Sequence, residues 1–235
     1  MASIQDDRGY NQGFKPSKAL DVRTERRCNY LISQMGPAAG KKILEIGCGT
    51  GETSYMLALR TGCDVLGVDI CSPFIEQARK NYACPNLRYE VMDFNKPGFD
   101  GGHRYDYIVG NGILHHLYYN IERALTNIRS LLTDGGKLIF IEPNIFNPYC
   151  LLIFRIGFLR KMARLEPEEM AFGGRFIREK LEKTGYRDID VRYMDFLVPC
   201  TPSILISPVI ILGALVEKTP VLNMLSQSIF ITATR

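Results

Sequence analysis

The chain has 235 residues, 46% hydrophobic and 23% charged, enough for one large α/β domain or a domain with a small cap. Its formal net charge of +4 is spread along the chain without a basic–aromatic stripe, which argues against a nucleic-acid partner. Seven cysteines, without Cys-x-x-Cys or Cys/His metal spacing, speak against a disulfide framework and against a metal site, and for a reduced, cytoplasmic setting. The opening Met-Ala-Ser-Ile-Gln-Asp-Asp has no basic-then-apolar leader pattern.

Residues 1 to about 16 are polar and glycine-containing and read as a loose arm. Ser17 caps a predicted helix that runs to about Met35 and is closed by Gly36-Pro37. Residues 1–38 therefore form an N-terminal arm and helix, and 39–235 the main domain. Ile43–Ile46 is a short apolar run and reads as a buried strand. Gly47, Gly49 and Gly51 follow at alternate positions, and the sequence then turns helical from Thr53 to Arg60. Strand, glycine turn and helix make a ligand cradle, because glycine admits close backbone approach and the helix start offers free N–H groups. Asp64–Ile70 is the second parallel strand, and Asp69 at its tip can accept both hydroxyl hydrogens of a ribose; capping the helix that starts at Ser72-Pro73 is the other reading. Leu87–Phe94 is the third strand and Tyr105–Gly112 the fourth, followed by Ile113-Leu-His-His-Leu117. An amphipathic helix spans Asn120–Leu132, Asp134-Gly-Gly136 turns the chain, and Lys137–Glu142 is the fifth strand.

From Glu45 to Gly51 the pattern E-x-G-x-G-x-G resembles motif I of the class I S-adenosylmethionine-dependent methyltransferases, and the similarity continues through the Asp-led fourth strand with its His-His pair. The resemblance covers residues 40 to 143 by motif and 173–196 and 228–235 by pattern. It implies a Rossmann-like α/β fold with a seven-stranded sheet in the order 3-2-1-4-5-7-6, the last strand antiparallel, and helices on both faces. It also implies S-adenosylmethionine as cofactor, with no metal. The residues matching the family's cofactor positions are Glu45, Gly47, Cys48, Gly49, Thr50, Gly51, Asp69, Ile70, Met92, Asp93, Phe94, Gly110 and Asn111. On this reading Asp69 takes the ribose, Ile70 flanks the adenine, Asp93 binds the adenine amino group with Met92 and Phe94 packed on the ring, and Gly110 and Asn111 line the methionine end. The N-terminal segment of such proteins often covers the cofactor, which makes Tyr10, Phe14, Arg23 and Arg26 candidate contacts.

His115 and His116 stand where the methyl group would be and either accept a proton from the acceptor or cap the next helix. Tyr118 or Tyr119 either faces the sulfonium or lies at the surface. Asn144 and Asn147 either rim the pocket or cap turns. Two segments interrupt the parallel pattern: cap insertions at about 145–170 and 197–226. Phe196–Val216 carries no charge, but its prolines and the strand expected at 228–235 argue for a helix of about Ser207–Val216 lying beside the sheet, not a membrane span. Caps over one methyl-donor site point to a small, hydrophobic acceptor such as a lipid, isoprenoid, quinone-like or other secondary metabolite. The same apolar surface admits a homodimer face or peripheral contact with a membrane. The competing functions are a non-catalytic S-adenosylmethionine-binding scaffold, a nicotinamide oxidoreductase, which would favour G-x-G-x-x-G, and an aminopropyl transferase, which would need further acids.

Overall fold

A computed structural model describes residues 16–93 and 103–235. Its centre is a seven-stranded sheet in the order β3-β2-β1-β4-β5-β7-β6, as the resemblance implies. In chain order the strands are β1 (Lys42–Ile46), β2 (Asp64–Asp69), β3 (Leu87–Val91), β4 (Tyr105–Asn111), β5 (Leu132–Pro143), β6 (Arg187–Met194) and β7 (Ser228–Thr234). Strands β1 to β5 pair in parallel, while β7 runs antiparallel between β5 and β6. β5 starts five residues earlier than its apolar run, because Leu132 pairs with Tyr105 before the register shifts at the Asp134-Gly-Gly136 stretch and resumes at Lys137–Tyr107.

Alternation along the strands divides the core. Ile43 joins Cys28 and Leu31 of helix α1 (Lys18–Ser33), Leu57 of α2 (Glu52–Thr61) and Ile75 of α3 (Ser72–Asn81) on one face. Leu44 and Ile46 join Leu125 and Ile128 of α4 (Ile121–Leu131) on the other, where helix α7 (Gly174–Lys183) adds Ile177 and Leu181. The caps fold as helices: α5 (Pro148–Arg155) and α6 (Gly157–Met162) in the first, α8 (Ile206–Glu217) in the second, with α7 between β5 and β6. Ser17 caps α1 by accepting from the Leu20 N–H, and its hydroxyl donates to Pro199 O, which ties α1 to the second cap. Among the described residues no helix is long and apolar enough to cross a membrane.

Candidate active site

The glycine loop is built from local hydrogen bonds. The N–H groups of Gly47 and Cys48 both donate to Val68 O, at 2.8 and 3.0 Å, so the loop hangs on the end of β2. Gly51 starts α2 at φ +91, and a Cβ there would lie 2.7 Å from Tyr89 Oη, so only glycine fits. Tyr89 Oη in turn donates to Gly51 O at 3.0 Å. Thr50 donates to Glu52, and burial pushes the Cys48 thiol up, so that it packs as a neutral group. Glu45 is buried beneath this loop, where its carboxyl accepts from the Ser54 hydroxyl of α2. Burial raises its pKa to about 8, with Ser54 opposing.

Asp69 stands at the tip of β2. Its Oδ2 accepts from Gly49 N and its Oδ1 from Cys71 N, both at 2.9 Å. Helix α3 begins at Ser72 behind its N-cap residue Cys71, whose side chain makes no capping bond. Ile70 beside Asp69 is exposed, and Met92 and Asp93 are half-buried just past the end of β3. Phe94, Tyr10 and Phe14 lie outside the described residues. Gly110, near the end of β4, is buried against Phe140, which a Cβ would approach to 2.4 Å.

The two histidines sit in different electrostatic settings. Glu142, buried near the end of β5, accepts from the backbone N–H groups of Ile113, Leu114 and His115 and from His115 Nδ1 at 2.9 Å. A carboxylate that only accepts fixes the proton on Nδ1 and leaves the lone pair on Nε2. The His115 ring lies edge-on to Phe154 of α5, under the apolar inner side of the first cap. His116 Nδ1 instead faces Glu169 at 2.9 Å and Glu166 at 3.6 Å, both from the first cap. Burial alone would lower its pKa, but the hydrogen bonds and charges of Glu166 and Glu169 raise it to about 9, so His116 is a cation at neutral pH. His115, His116 and Glu169 bring ligand atoms within 4.8 Å of one another, a grouping that no sequence spacing announces and that these hydrogen bonds account for.

A third cluster joins α1 to the far strands. Asn111 Oδ1, at the end of β4, accepts from Arg27 at 2.7 Å. Arg27 also donates to Asp195 at 3.1 Å and to Ser228 at the start of β7. Arg23, one turn earlier on α1, reaches Asp195 at 3.4 Å and Gln227 at 2.9 Å. Asp195 sits at φ +72 and its carboxyl is held below the usual range: burial opposes this, but Arg27 and Arg23 outweigh it. Arg23 is the surplus cation, and burial together with the Arg27 charge lowers its pKa to about 9.

Other expectations resolve toward structure. Asn144 is fully buried and donates to Met224 O and Ser226 O, while Asn147 caps α5 through the Tyr149 and Cys150 N–H groups, so both serve turns and not a pocket rim. Tyr118 stacks on Phe176 of α7 at 4.9 Å and Tyr119 is exposed, so neither ring faces the loop. The sequence alone presents Glu142 as the end of a strand and marks no role for Glu166, Glu169 or Asp195.

The donors present suit a charged nucleoside. Asp69 is a half-buried carboxylate with no Lys or Arg paired to it among the described residues, and its oxygens accept backbone N–H groups of the glycine loop and the turn after β2. Residues 43–136 match the model of a family described as a methyltransferase domain. An O-methyltransferase of Pyrenophora dematioidea is 29% identical over 133 residues, 52% of this chain and 47% of the relative. An S-adenosyl-L-methionine-dependent Diels-Alderase of Talaromyces variabilis is 29% identical over 196 residues, 78% of this chain and 65% of the relative. The chain thus spans about half of the first relative's length and just under two thirds of the second's. A solved S-adenosylmethionine-dependent methyltransferase from Archaeoglobus fulgidus shares the fold with a TM-score of 0.63 at 18% identity, covering 92% of this chain and 94% of its own. Strand order and glycine loop are those of the class I S-adenosylmethionine-dependent methyltransferase fold, and residues 43–136 carry its methyltransferase domain. The cofactor that such a domain takes is S-adenosylmethionine.

Proposed function

We propose that this chain methylates a small apolar acceptor of the secondary-metabolite kind, with His115 as the group that takes the acceptor's proton. When bound, S-adenosylmethionine supplies a methyl group already activated by the sulfonium charge. Asp69 and the exposed backbone of Gly49 hold the nucleoside, with Ile70 and Met92 beside its base and Gly110 and Asn111 at its other end. Glu45, closed off beneath the loop, keeps α2 in register through Ser54 and positions the cradle. Arg27 fixes Asn111 and so couples the α1 cover to the site. His115 Nε2 accepts the proton of an acceptor hydroxyl or acidic carbon, and Glu142 stabilises the resulting imidazolium. His116, already protonated, holds the first cap down through Glu169 and excludes water instead of moving a proton.

The observation that carries this reading is the Glu142–His115 pair beneath the apolar underside of the first cap, on the same sheet edge as the glycine loop. His115→Ala should lower kcat by roughly 100-fold or more while leaving the S-adenosylhomocysteine Kd unchanged by calorimetry. An undiminished kcat removes His115 from the chemistry. Methyl transfer confined to small polar acceptors would defeat the apolar-acceptor reading. The Diels-Alderase relative motivates one second reading, in which the cofactor is held and its methyl retained. Product formation without S-adenosylhomocysteine would select it.

A further inference from the structure

The large apolar side chains that stand exposed are concentrated. Among the described residues all but four of them, Leu59, Ile70, Val91 and Tyr119, lie in the two caps or at their joins. Scattered exposed hydrophobics need no explanation, but a contiguous set does. On the first cap, Leu152, Ile156, Phe158 and Met162 face out, Phe158 at 70% exposure. On the second, α8 carries no charge from Ile206 to Val216. Its inner side, Ile206, Val209 and Ile210, packs on Ala19 and Val22 of α1. Its outer side presents Ile211, Leu212 and Leu215 at 63, 61 and 60% exposure. A helix lying on a protein surface in water carries polar residues outward; on this side α8 carries one small hydroxyl, Ser207, and no charge before Glu217. The caps adjoin, since Asn147 at the start of α5 donates to Leu225 O at 2.7 Å.

The charges on this face say what covers it. From Asn144 to Leu165 there is no acidic residue, and Arg155, Lys161 and Arg164 are exposed among the apolar side chains. Arg160 is turned inward to the carbonyls of Phe154, Glu166, Pro167 and Glu169. Of the acids that follow, Glu166 and Glu169 are buried against His116, and Glu168 is exposed beyond the helices. A second copy docking here would bury three cations on a face whose helices offer a single acid, Glu217, which is half-buried and already accepts the Asp195 N–H. A bilayer with anionic headgroups accepts both components, apolar side chains into the acyl boundary and cations onto phosphate and carboxylate.

We propose that this face docks on an anionic membrane surface. With 12 residues α8 is about 18 Å long, short of a roughly 30 Å hydrocarbon core, so it lies in the interface plane. Both caps leave the sheet at its carboxyl edge and the first covers His115, so the docked face is also the side by which an apolar acceptor arrives. Docking is independent of methyl transfer, and vesicle binding reads it without turnover.

The test is co-sedimentation of the full chain with phosphatidylcholine vesicles, alone and with phosphatidylserine added. The expected result is at least tenfold stronger partition onto the serine-containing vesicles. Phe158→Glu combined with Leu212→Glu should abolish it while leaving the thermal midpoint unchanged, since both side chains are exposed. Arg155→Gln and Lys161→Gln should each weaken anionic binding about fivefold and leave neutral vesicles unaffected. The proposal is overturned by no partition onto either vesicle or by full binding of the Phe158/Leu212 variant. A dimer in lipid-free buffer that Phe158→Glu dissociates would overturn it equally, by assigning the face to a second copy.

Discussion

At the glycine loop the defining side-chain bonds are local: Gly49 to Asp69 spans 20 residues and Tyr89 to Gly51 spans 38. Around α1 the bonds from Arg27 to Asn111, Asp195 and Ser228 span 84, 168 and 201 residues, and Arg23 to Gln227 spans 204. The first half is a loop held by its own neighbours. The second half exists only when α1, β4, β6 and β7 are all in place. Damage to the first should therefore cost ligand binding with the fold intact, whereas damage to the second should cost the fold.

The sharpest way to break that contrast is Asp195→Ala. It leaves two buried guanidinium groups facing each other, with side-chain exposures of 11% for Arg23 and 8% for Arg27. The expected loss is about 3–5 kcal/mol of unfolding free energy, measured by denaturant titration. Arg23→Gln, which removes the surplus cation, should cost much less than Arg27→Gln; equal losses would show that the two arginines share the carboxylate evenly. At the glycine loop, Asp69→Ala should weaken S-adenosylhomocysteine binding by about 100-fold, the scale of two hydroxyl bonds to a carboxylate, with little change in thermal midpoint. Calorimetry and a melting curve on the same sample decide whether binding and folding separate as argued.

The smallest effect is a pH dependence of the cap. The folded pKa of His116 is raised to about 9, above its ordinary 6.5. Its ion pair with Glu169 therefore contributes fully below pH 6.5 and is lost as the pH rises through about 9. Wild type should lose its thermal advantage over His116→Gln across that window. A constant difference between the two proteins would remove the ion pair from the cap's hold on the site.

The same contrast explains what could be read from the chain in advance. The run from Ile43 to Gly51, the helix after it and the acid at Asp69 are contiguous patterns whose geometry follows from neighbours, so they are legible. The strand order comes with the family resemblance, and β7 lies where its alternating pattern and that resemblance put it. The roles of Arg27 and Asp195 are invisible in the chain because nothing local marks two residues 168 apart as partners. The His-His pair reads as one motif, yet its members differ because Glu142 comes from β5 and Glu169 from a cap. Asn144 and Asn147 illustrate a different loss: a polar side chain after a strand suits a pocket and a turn alike until its partners at Met224, Leu225 and Ser226 are known.

The antiparallel insertion of β7 has a consequence for how the molecule is made. β6 bonds only to β7, so while a ribosome is still delivering α8, both edges of β6 and the outer edge of β5 wait unpaired. At ~5–20 residues per second that interval lasts seconds, and the most apolar helix of the chain emerges during it. Newborn chains are thus most prone to clumping just before synthesis reaches Ser228, and chaperone capture should peak there.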